Sequence, residues 1–321
     1  MELDNTRITI RERGLLDTLD LSLHVLREFV QPVFWFTLAA VVPLGLLNYV
    51  LLGWMVYPQS GGDTQGFDYT EYRLYEWSPT DWGWRVYYML PWRYLFDMAL
   101  LIFIEAQLAS IFVTAYLGEA VFMQKPTFRQ VLKTVIKHSP GLVLCQLLIR
   151  GILPAWILVM LMDRQYGTNV VGIEVCLWLL AIYVALFRAL RPYINEIILL
   201  EKNPIRARRP SDISINKRSN HLHGSSSGDL FGRWIGNSML AASLLILIVA
   251  ALYLGVGVLI GQYEITWWFV AIIYPAAFWV VVAYYSVVRY LDYLDLRIRY
   301  EGWEVELLMR AEAAKMAGKA W

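Results

Sequence analysis

The sequence has little charge and little cysteine. Only 17% of its 321 residues are charged, against about 25% in a typical soluble domain, and 58% are apolar. This excludes a soluble domain, and the high apolar content also excludes a disordered chain. Two cysteines are too few for a small disulfide scaffold. The composition is that of a membrane protein.

Six long apolar stretches predict an all-α, polytopic membrane protein. A helix needs roughly 20 mainly apolar residues to cross the hydrocarbon core, because its backbone polar groups must be satisfied within the segment. The predicted spans are Val33–Tyr57, Leu95–Leu117, Pro140–Met162, Gly172–Leu190, Met239–Gly261 and Ile265–Val288. The fourth is short and contains Glu174 and Arg188, so it is the least typical of a span.

The lysines and arginines predict which side of the membrane each connection faces. Basic residues close to span ends are retained in the cytoplasm. With the N-terminus inside, 22 of the 28 lie in cytoplasmic segments, four in outer loops and two within spans. We therefore expect three hairpins with both termini cytoplasmic. The first apolar run lacks a small-residue cleavage pattern, so we expect an anchor rather than a cleaved signal peptide.

The spans divide the chain into three regions. Residues 1–32 precede the membrane domain, residues 33–288 form it, and residues 289–321 make a cytoplasmic helical tail. Two connections are distinctive. The outer loop 58–94 is rich in tryptophan and tyrosine, which fits either an aromatic interface belt or a recognition surface. The inner loop 191–238 is basic.

Amphipathic segments precede the first, third and fifth predicted spans. Apolar residues recur every three or four positions in Leu15–Val30 and in Phe128–Ile136, where Pro126 and Thr127 mark the start. A third, less regular segment ends in Leu230–Ile235. We expect interfacial helices on the cytoplasmic face. The chain then consists of three successive units, each an interfacial segment followed by a hairpin.

Two ionisable residues inside predicted spans are candidates for a site. Glu105 lies ten residues from the outer end of the second span and Arg150 ten residues from the inner end of the third. At 1.5 Å per residue each is about 15 Å deep, and charges buried in lipid normally have partners. We therefore expect Glu105 to pair with Arg150. Pro154 predicts a helix kink because it frees the carbonyl of Arg150. We favour an interhelical clamp over a transport site, since one pair makes no pathway.

The small residues of the spans predict packing rather than chemistry. Gly257 and Gly261 form a G-x-x-x-G pair, which lets another helix approach closely, from this chain or from a second copy. Cys145 and Cys176 lie at different depths, so we expect no disulfide between them. Both are expected to fill apolar space.

The basic inner loop predicts contact with anionic lipid head groups or with a protein partner. A juxtamembrane basic residue is attracted to such lipids by about 1 kcal/mol. Nucleic acid is not expected, because no aromatic stacking platform accompanies the basic residues. The candidate contact residues are Arg206, Arg208, Arg209, Lys217 and Arg218.

The patterns that resemble catalytic motifs do not support an enzyme. Gly224–Gly228 matches G-x-S-x-G, but that motif works only at a strand-to-helix turn over an α/β sheet. His221 and His223 are expected to be solvated loop residues, because no third metal ligand stands at ligand spacing. We expect no catalytic site, no cofactor and no metal.

The C-terminal segment carries a recognisable pattern, Tyr-x-Asp-x-Arg-x-x-x-Glu-Gly-Trp. Its matching residues are Asp295, Arg297, Glu301, Gly302 and Trp303. This pattern resembles the end of a broad group of bacterial multi-span proteins that are similar to the membrane domain of glycerophosphodiester phosphodiesterases. Ile197–Glu201 and Lys217–Ser219 resemble the other pattern of that group. The resemblance implies a helical module of the bacterial inner membrane without the catalytic barrel, which needs about 200 or more further residues.

Two functional hypotheses follow. The first is a non-enzymatic inner-membrane protein, a scaffold or lipid-interacting component of a larger assembly. Its expected partners are membrane lipids and either another protein or a second copy of the chain. The alternative is a transporter or channel subunit with Glu105 and Arg150 at its centre.

Overall fold

The computed structural model describes residues 14–53, 92–120, 126–166, 170–205, 213–224, 227–261 and 267–301. Within these ranges the chain is helical and contains no strand. The α-helices are α1 Leu15–Glu28, α2 Val30–Leu52, α3 Trp92–Ala120, α4 Phe128–Leu142, α5 Leu153–Tyr166, α6 Val170–Leu190, α7 Ile194–Leu199, α8 Ile215–Gly224, α9 Ser227–Ile260 and α10 Tyr274–Glu301. Two π-helical segments, Val143–Ile152 and Phe269–Ile273, lead into α5 and α10.

Within the residues that the structure describes, five helical stretches are long and apolar enough to cross a membrane. They are Val30–Leu52, Arg93–Ala120, Phe128–Met160, Ser227–Leu259 and Phe269–Arg299. The predicted class, an all-helical membrane protein, is confirmed. The predicted count of six is not reached on this measure, because the apolar stretch that corresponds to the fourth span, Val175–Leu190, is shorter.

Several helices run past their predicted ends. α4 continues without a break through Pro140 into the first π-helical segment, so the interfacial segment and the third span form one helix. α9 begins at Ser227 and therefore includes the segment around Leu230. α10 passes through the predicted span end at Val288. At the start of α9 and the end of α10, ion pairs satisfy the charged side chains, so these two helices need not stop at the predicted span ends.

The core is built around α3 and α10. α3 packs against α2, α6 and α10, and α1 packs along α10. Ile102 and Leu117 of α3 and Val287 and Tyr290 of α10 are fully buried. α9 is peripheral, since only 6% of its most apolar window is buried. The centre of the bundle therefore holds α3 and α10, and α9 forms part of its outer surface.

The first interfacial helix packs differently from the prediction. α1 buries Thr18, Ser22 and Val25, whereas Leu16 and Leu23 are exposed. The Ser22 hydroxyl donates to the Tyr284 hydroxyl of α10 at 3.0 Å. Small polar side chains let the two helices approach closely, which explains why they, and not these leucines, face α10.

The second interfacial helix starts as the sequence predicts. The backbone N–H of Thr127 donates to the Gln130 side chain at 2.7 Å, and the two residues form a capping box before α4. The start at Pro126 and Thr127 is thereby confirmed.

Candidate functional site

A cavity of about 370 Å³ lies between α3, α6, α9 and α10. Most of its lining is apolar, and Ala242 lines it while being exposed, so the cavity opens beside α9. The charged groups at one end of the cavity are Arg188, Arg233, Arg289 and Asp292. α3, α6 and α10 end on this side of the bundle and α9 begins there; we call it the polar end.

Arg289 of α10 connects three helices at the polar end. Its Nε donates to Oε1 of Glu196 in α7 at 2.7 Å, and its Nη2 donates to the Ser110 hydroxyl of α3 at 2.8 Å. Its Nη1 donates to the side-chain oxygen of Gln107, also on α3. Gln107 and Ser110 share a face because they are three residues apart. The five fixed donors of a guanidinium suit this set of acceptors.

Arg233, in the second turn of α9, binds two carboxylates near the end of α10. Asp292 and Asp295 each lie 3.1 Å from its guanidinium nitrogens. Asn237, one turn further along α9, donates to Asp292 at 3.2 Å, and Arg299 binds Asp295 at 2.5 Å. The start of α9 is therefore fastened to the end of α10 by charge-assisted hydrogen bonds.

Arg150 faces the break between α6 and α7. Its Nη2 donates to the backbone carbonyl of Arg191 at 2.8 Å, just after the end of α6, where a cation is favoured by the helix dipole. Its Nη1 donates to Gln146 at 3.3 Å. Gln146 in turn donates to the Asn195 side chain of α7. Arg150 thus holds α7 against the third spanning stretch.

The predicted pair of Glu105 and Arg150 is wrong. Both residues are described, and they have different partners: Nδ2 of Asn48 in α2 donates to Oε2 of Glu105 at 2.8 Å. The prediction rested on depth along straight helices, but depth does not fix which way a side chain points around the helix axis. Glu105 faces α2, whereas Arg150 faces α6 and α7.

Pro154 lies just after a change of helix type, from the π-helical segment to α5, and the predicted kink stays a prediction. The π-helical segment Val143–Ile152 ends just before it. The last π-type hydrogen bond runs from the Leu153 N–H to the Leu148 carbonyl. One residue further, the same pattern would pair residue 154 with the Ile149 carbonyl, but proline has no N–H to give. The Tyr183 hydroxyl of α6 donates to that carbonyl at 3.1 Å. The freed acceptor is therefore satisfied by a neighbouring helix.

The segments that carry the family resemblance meet in space. Arg218 binds Glu201 through Nε at 2.5 Å and Nη2 at 2.7 Å. The Tyr293 hydroxyl donates to Glu201 at 2.7 Å, and Arg297 lies 3.7 Å from it. Arg218 was predicted as a head-group contact; the structure places it in this cluster instead. Lys217 is exposed.

The other predicted site residues lie in α9, at the end of α10 or outside the described ranges. Gly257 is buried in α9. Gly261 ends α9 with φ of 72° and donates its N–H to the Gly257 carbonyl at 2.9 Å. It therefore terminates the helix, as glycine does in the left-handed region, and no described residue packs against it. Glu301 is the last residue of α10. The residues outside the described ranges are Arg206, Arg208, Arg209, Gly302 and Trp303.

His223 lies buried at the end of α8, not in a solvated loop as predicted. It is 4% exposed, its ring stacks on Tyr193, and its Nδ1 lies 2.7 Å from the Ser219 carbonyl. Burial lowers the pKa of His223 to about 4, opposed by the Ser219 carbonyl and reinforced by nearby Arg191 and Arg150. Burial also raises the pKa of Tyr193. Both groups are thus held neutral near pH 7.

Sequence reasoning missed most of the polar end. Asn195 and Glu196 are both 0% exposed, although the sequence predicts that they belong to the inner loop 191–238. The available signal was their position inside the apolar run Ile194–Leu200, since buried polar residues in such a run need partners. Gln107 and Ser110 are a weaker indication of a buried polar site: they are two polar residues within a predicted span, and their spacing of three places them on one face of the helix.

The polar end is better suited to binding an anion than to holding a metal. Among the described residues no group of three or more histidines, cysteines, aspartates or glutamates is placed to hold a metal ion. Three arginines and one aspartate line the cavity. Guanidinium groups bind phosphate and carboxylate through paired hydrogen bonds.

No protein-family model, no curated protein and no solved structure matches the chain. The similarity of its C-terminal segment to the membrane domain of glycerophosphodiester phosphodiesterases therefore stays a prediction.

Proposed function

We propose that the protein is a non-enzymatic component of the bacterial inner membrane that binds membrane lipids. The cavity between α3, α6, α9 and α10 is the observation that carries the proposal. Its walls are apolar, one end is charged, and it opens beside a spanning helix. A molecule that fits must have an apolar part and a polar part and must arrive from within the bilayer, and membrane lipids meet both conditions.

The topology we propose has six spans in three hairpins, with the polar end in the cytoplasm. α6 has 21 residues, about 32 Å at 1.5 Å per residue, which is enough for the hydrocarbon core. Contacts of α2 with α3, α5 with α6, and α9 with α10 support consecutive hairpins. The excess of lysine and arginine supports the orientation. A cysteine replacing Arg208, without Cys145 and Cys176, should be labelled only after the cells are permeabilised.

Lipid retention tests the proposed function. The purified protein, stripped of lipid in mild detergent and then incubated with membrane lipid, should retain lipid when analysed by native mass spectrometry. Ala241→Trp fills the cavity and should reduce the number of retained lipids. Ala251→Trp, on an exposed part of the same helix, is the matched control. Equal retention by both variants and the wild type would argue against the cavity as the lipid site.

The second candidate function is transport past Glu105. This residue is buried within a spanning helix and accepts a hydrogen bond from a neutral amide, that of Asn48. Intramembrane carboxylates of this kind occur along ion and proton pathways. Solute flux in reconstituted vesicles that is lost in Glu105→Gln, with folding intact, would favour transport over lipid binding.

A further inference from the structure

Among the described residues, Arg188 of α6 has no charged partner. It lies in the last turn of α6, is 7% exposed, and lines the cavity. Its Nη2 donates to the backbone carbonyl of Ile104 at 3.2 Å, and its guanidinium carbon sits 4.3 Å from the centre of the Phe103 ring. Within the described part of the chain, its Nε has no hydrogen-bond partner and no carboxylate lies within ion-pair distance.

The other two arginines at the cavity are neutralised. Arg289 binds Glu196, and Arg233 binds Asp292 and Asp295. Arg188 is therefore the charge that the described residues leave uncompensated at this end of the cavity. A buried guanidinium without a counter-ion is strongly unfavourable, so this geometry calls for an anion.

The shape of the cavity indicates what kind of anion fits. From Arg188 the cavity continues between α9 and α10 along apolar side chains, among them Ala241, Leu245, Phe278 and Val281. A small inorganic anion would occupy only the charged end and would leave the apolar part of the cavity unfilled. A lipid places its head group at the charge and an acyl chain along the walls, where the chain fills the apolar space by van der Waals packing.

We propose that the cavity binds an anionic membrane lipid, with Arg188 binding its charged head group and an acyl chain lying between α9 and α10. This assignment rests on the proposed lipid-binding function and adds the lipid class and the residue that selects it. Asp292 also lines the cavity, but its carboxylate is engaged by Arg233 and Asn237. It therefore leaves the charge of Arg188 available to a ligand.

Native mass spectrometry with defined lipids tests the assignment. The delipidated protein is titrated with phosphatidylglycerol or with phosphatidylcholine carrying the same acyl chains. Loss of a charged hydrogen-bond partner weakens binding by about tenfold or more, so Arg188→Gln should lower phosphatidylglycerol retention to the phosphatidylcholine level. Arg188→Lys should keep part of the preference. Arg129→Gln, an exposed arginine on α4, controls for general surface charge.

The outcomes separate the assignment from the function on which it rests. Equal retention of the two lipids by the wild type would overturn the anionic selectivity and leave lipid binding intact. Retention of neither lipid would overturn both. Inorganic phosphate that displaces phosphatidylglycerol at equal concentration would identify a small-anion site and overturn the lipid assignment. The wild-type comparison needs no variant, so a misfolded Arg188→Gln does not remove the test.

Discussion

Two buried glutamates, Glu196 and Glu105, occupy contrasting surroundings. Glu196 is 0% exposed and forms an ion pair with Arg289 at the polar end. Glu105 is 8% exposed and accepts a hydrogen bond from the neutral amide of Asn48. The Glu196 carboxylate is the counter-ion of an arginine, whereas the Glu105 side chain only accepts a hydrogen bond from a neutral donor. Similar burial of the same residue type therefore does not imply the same energetic role.

The largest expected effect comes from removing the charge of Glu196. Glu196→Gln leaves Arg289, whose side chain is 16% exposed, without its counter-ion, and removing one partner of a buried ion pair typically destabilises a protein by about 3–5 kcal/mol. The free energy of unfolding, measured by titrating mixed micelles with SDS, should fall by this amount. Replacing both residues with methionine should recover much of the loss, because a buried ion pair can often be exchanged for apolar packing.

Glu119→Gln, near the end of α3 and only half-buried, should change the stability little. If Glu196→Gln were as stable as the wild type, Arg289 would have to be neutralised by another group. The contrast between the two buried glutamates would then disappear.

Acidification should weaken the polar end through His223. Its pKa is lowered from 6.5 to about 4 in the folded protein, so below pH 6.5 the unfolded chain binds the proton more readily. Stability is thus lost as the pH falls from about 6.5 towards 4. The linkage relation gives about 2 kcal/mol of loss between pH 7.5 and pH 5. His223→Phe should remove this part of the pH dependence, and an unchanged profile would contradict it.

Composition and hydropathy were enough to predict an all-helical membrane protein. Backbone N–H and C=O groups without hydrogen bonds are costly in lipid, so few structures can span a membrane. They also located five stretches that the structure confirms as candidate spans. They did not predict the partners of Glu105 and Arg150, because partner choice depends on rotation about the helix axis. Successive side chains of a helix are rotated by about 100° around its axis, so an error of one residue in the assumed orientation directs a side chain to a different neighbouring helix.

The polar end was harder to predict for a second reason. Its hydrogen bonds join residues far apart in sequence, such as Gln107 with Arg289 and Arg233 with Asp292. Hydropathy reports each segment by itself and carries no information on such pairing. The segments Ile197–Glu201 and Lys217–Ser219 were singled out by resemblance, and they do meet through Glu201 and Arg218.

A smaller effect is expected where Tyr183 serves the carbonyl that Pro154 leaves free. Tyr183→Phe removes one hydrogen bond from a carbonyl between two helices and should cost about 1–2 kcal/mol. In a Pro154→Ala background the restored N–H satisfies Ile149, so the same change should cost much less. A double-mutant cycle in SDS titrations measures this coupling. Equal costs in both backgrounds would mean that Tyr183 acts independently of the proline.

The smallest expected effect is at Glu105, where the same chemical change as at Glu196 is made in the other surroundings. A glutamine at this position still accepts the Asn48 amide, so no buried charge is left without a counter-ion. Glu105→Gln should therefore alter the free energy of unfolding by less than about 1 kcal/mol. Asn48→Leu should cost more than Glu105→Gln, because it removes the donor and leaves the carboxylate. If the order of these two variants were reversed, Glu105 would have to be an ionised group with a partner other than Asn48, and the contrast with Glu196 would no longer hold.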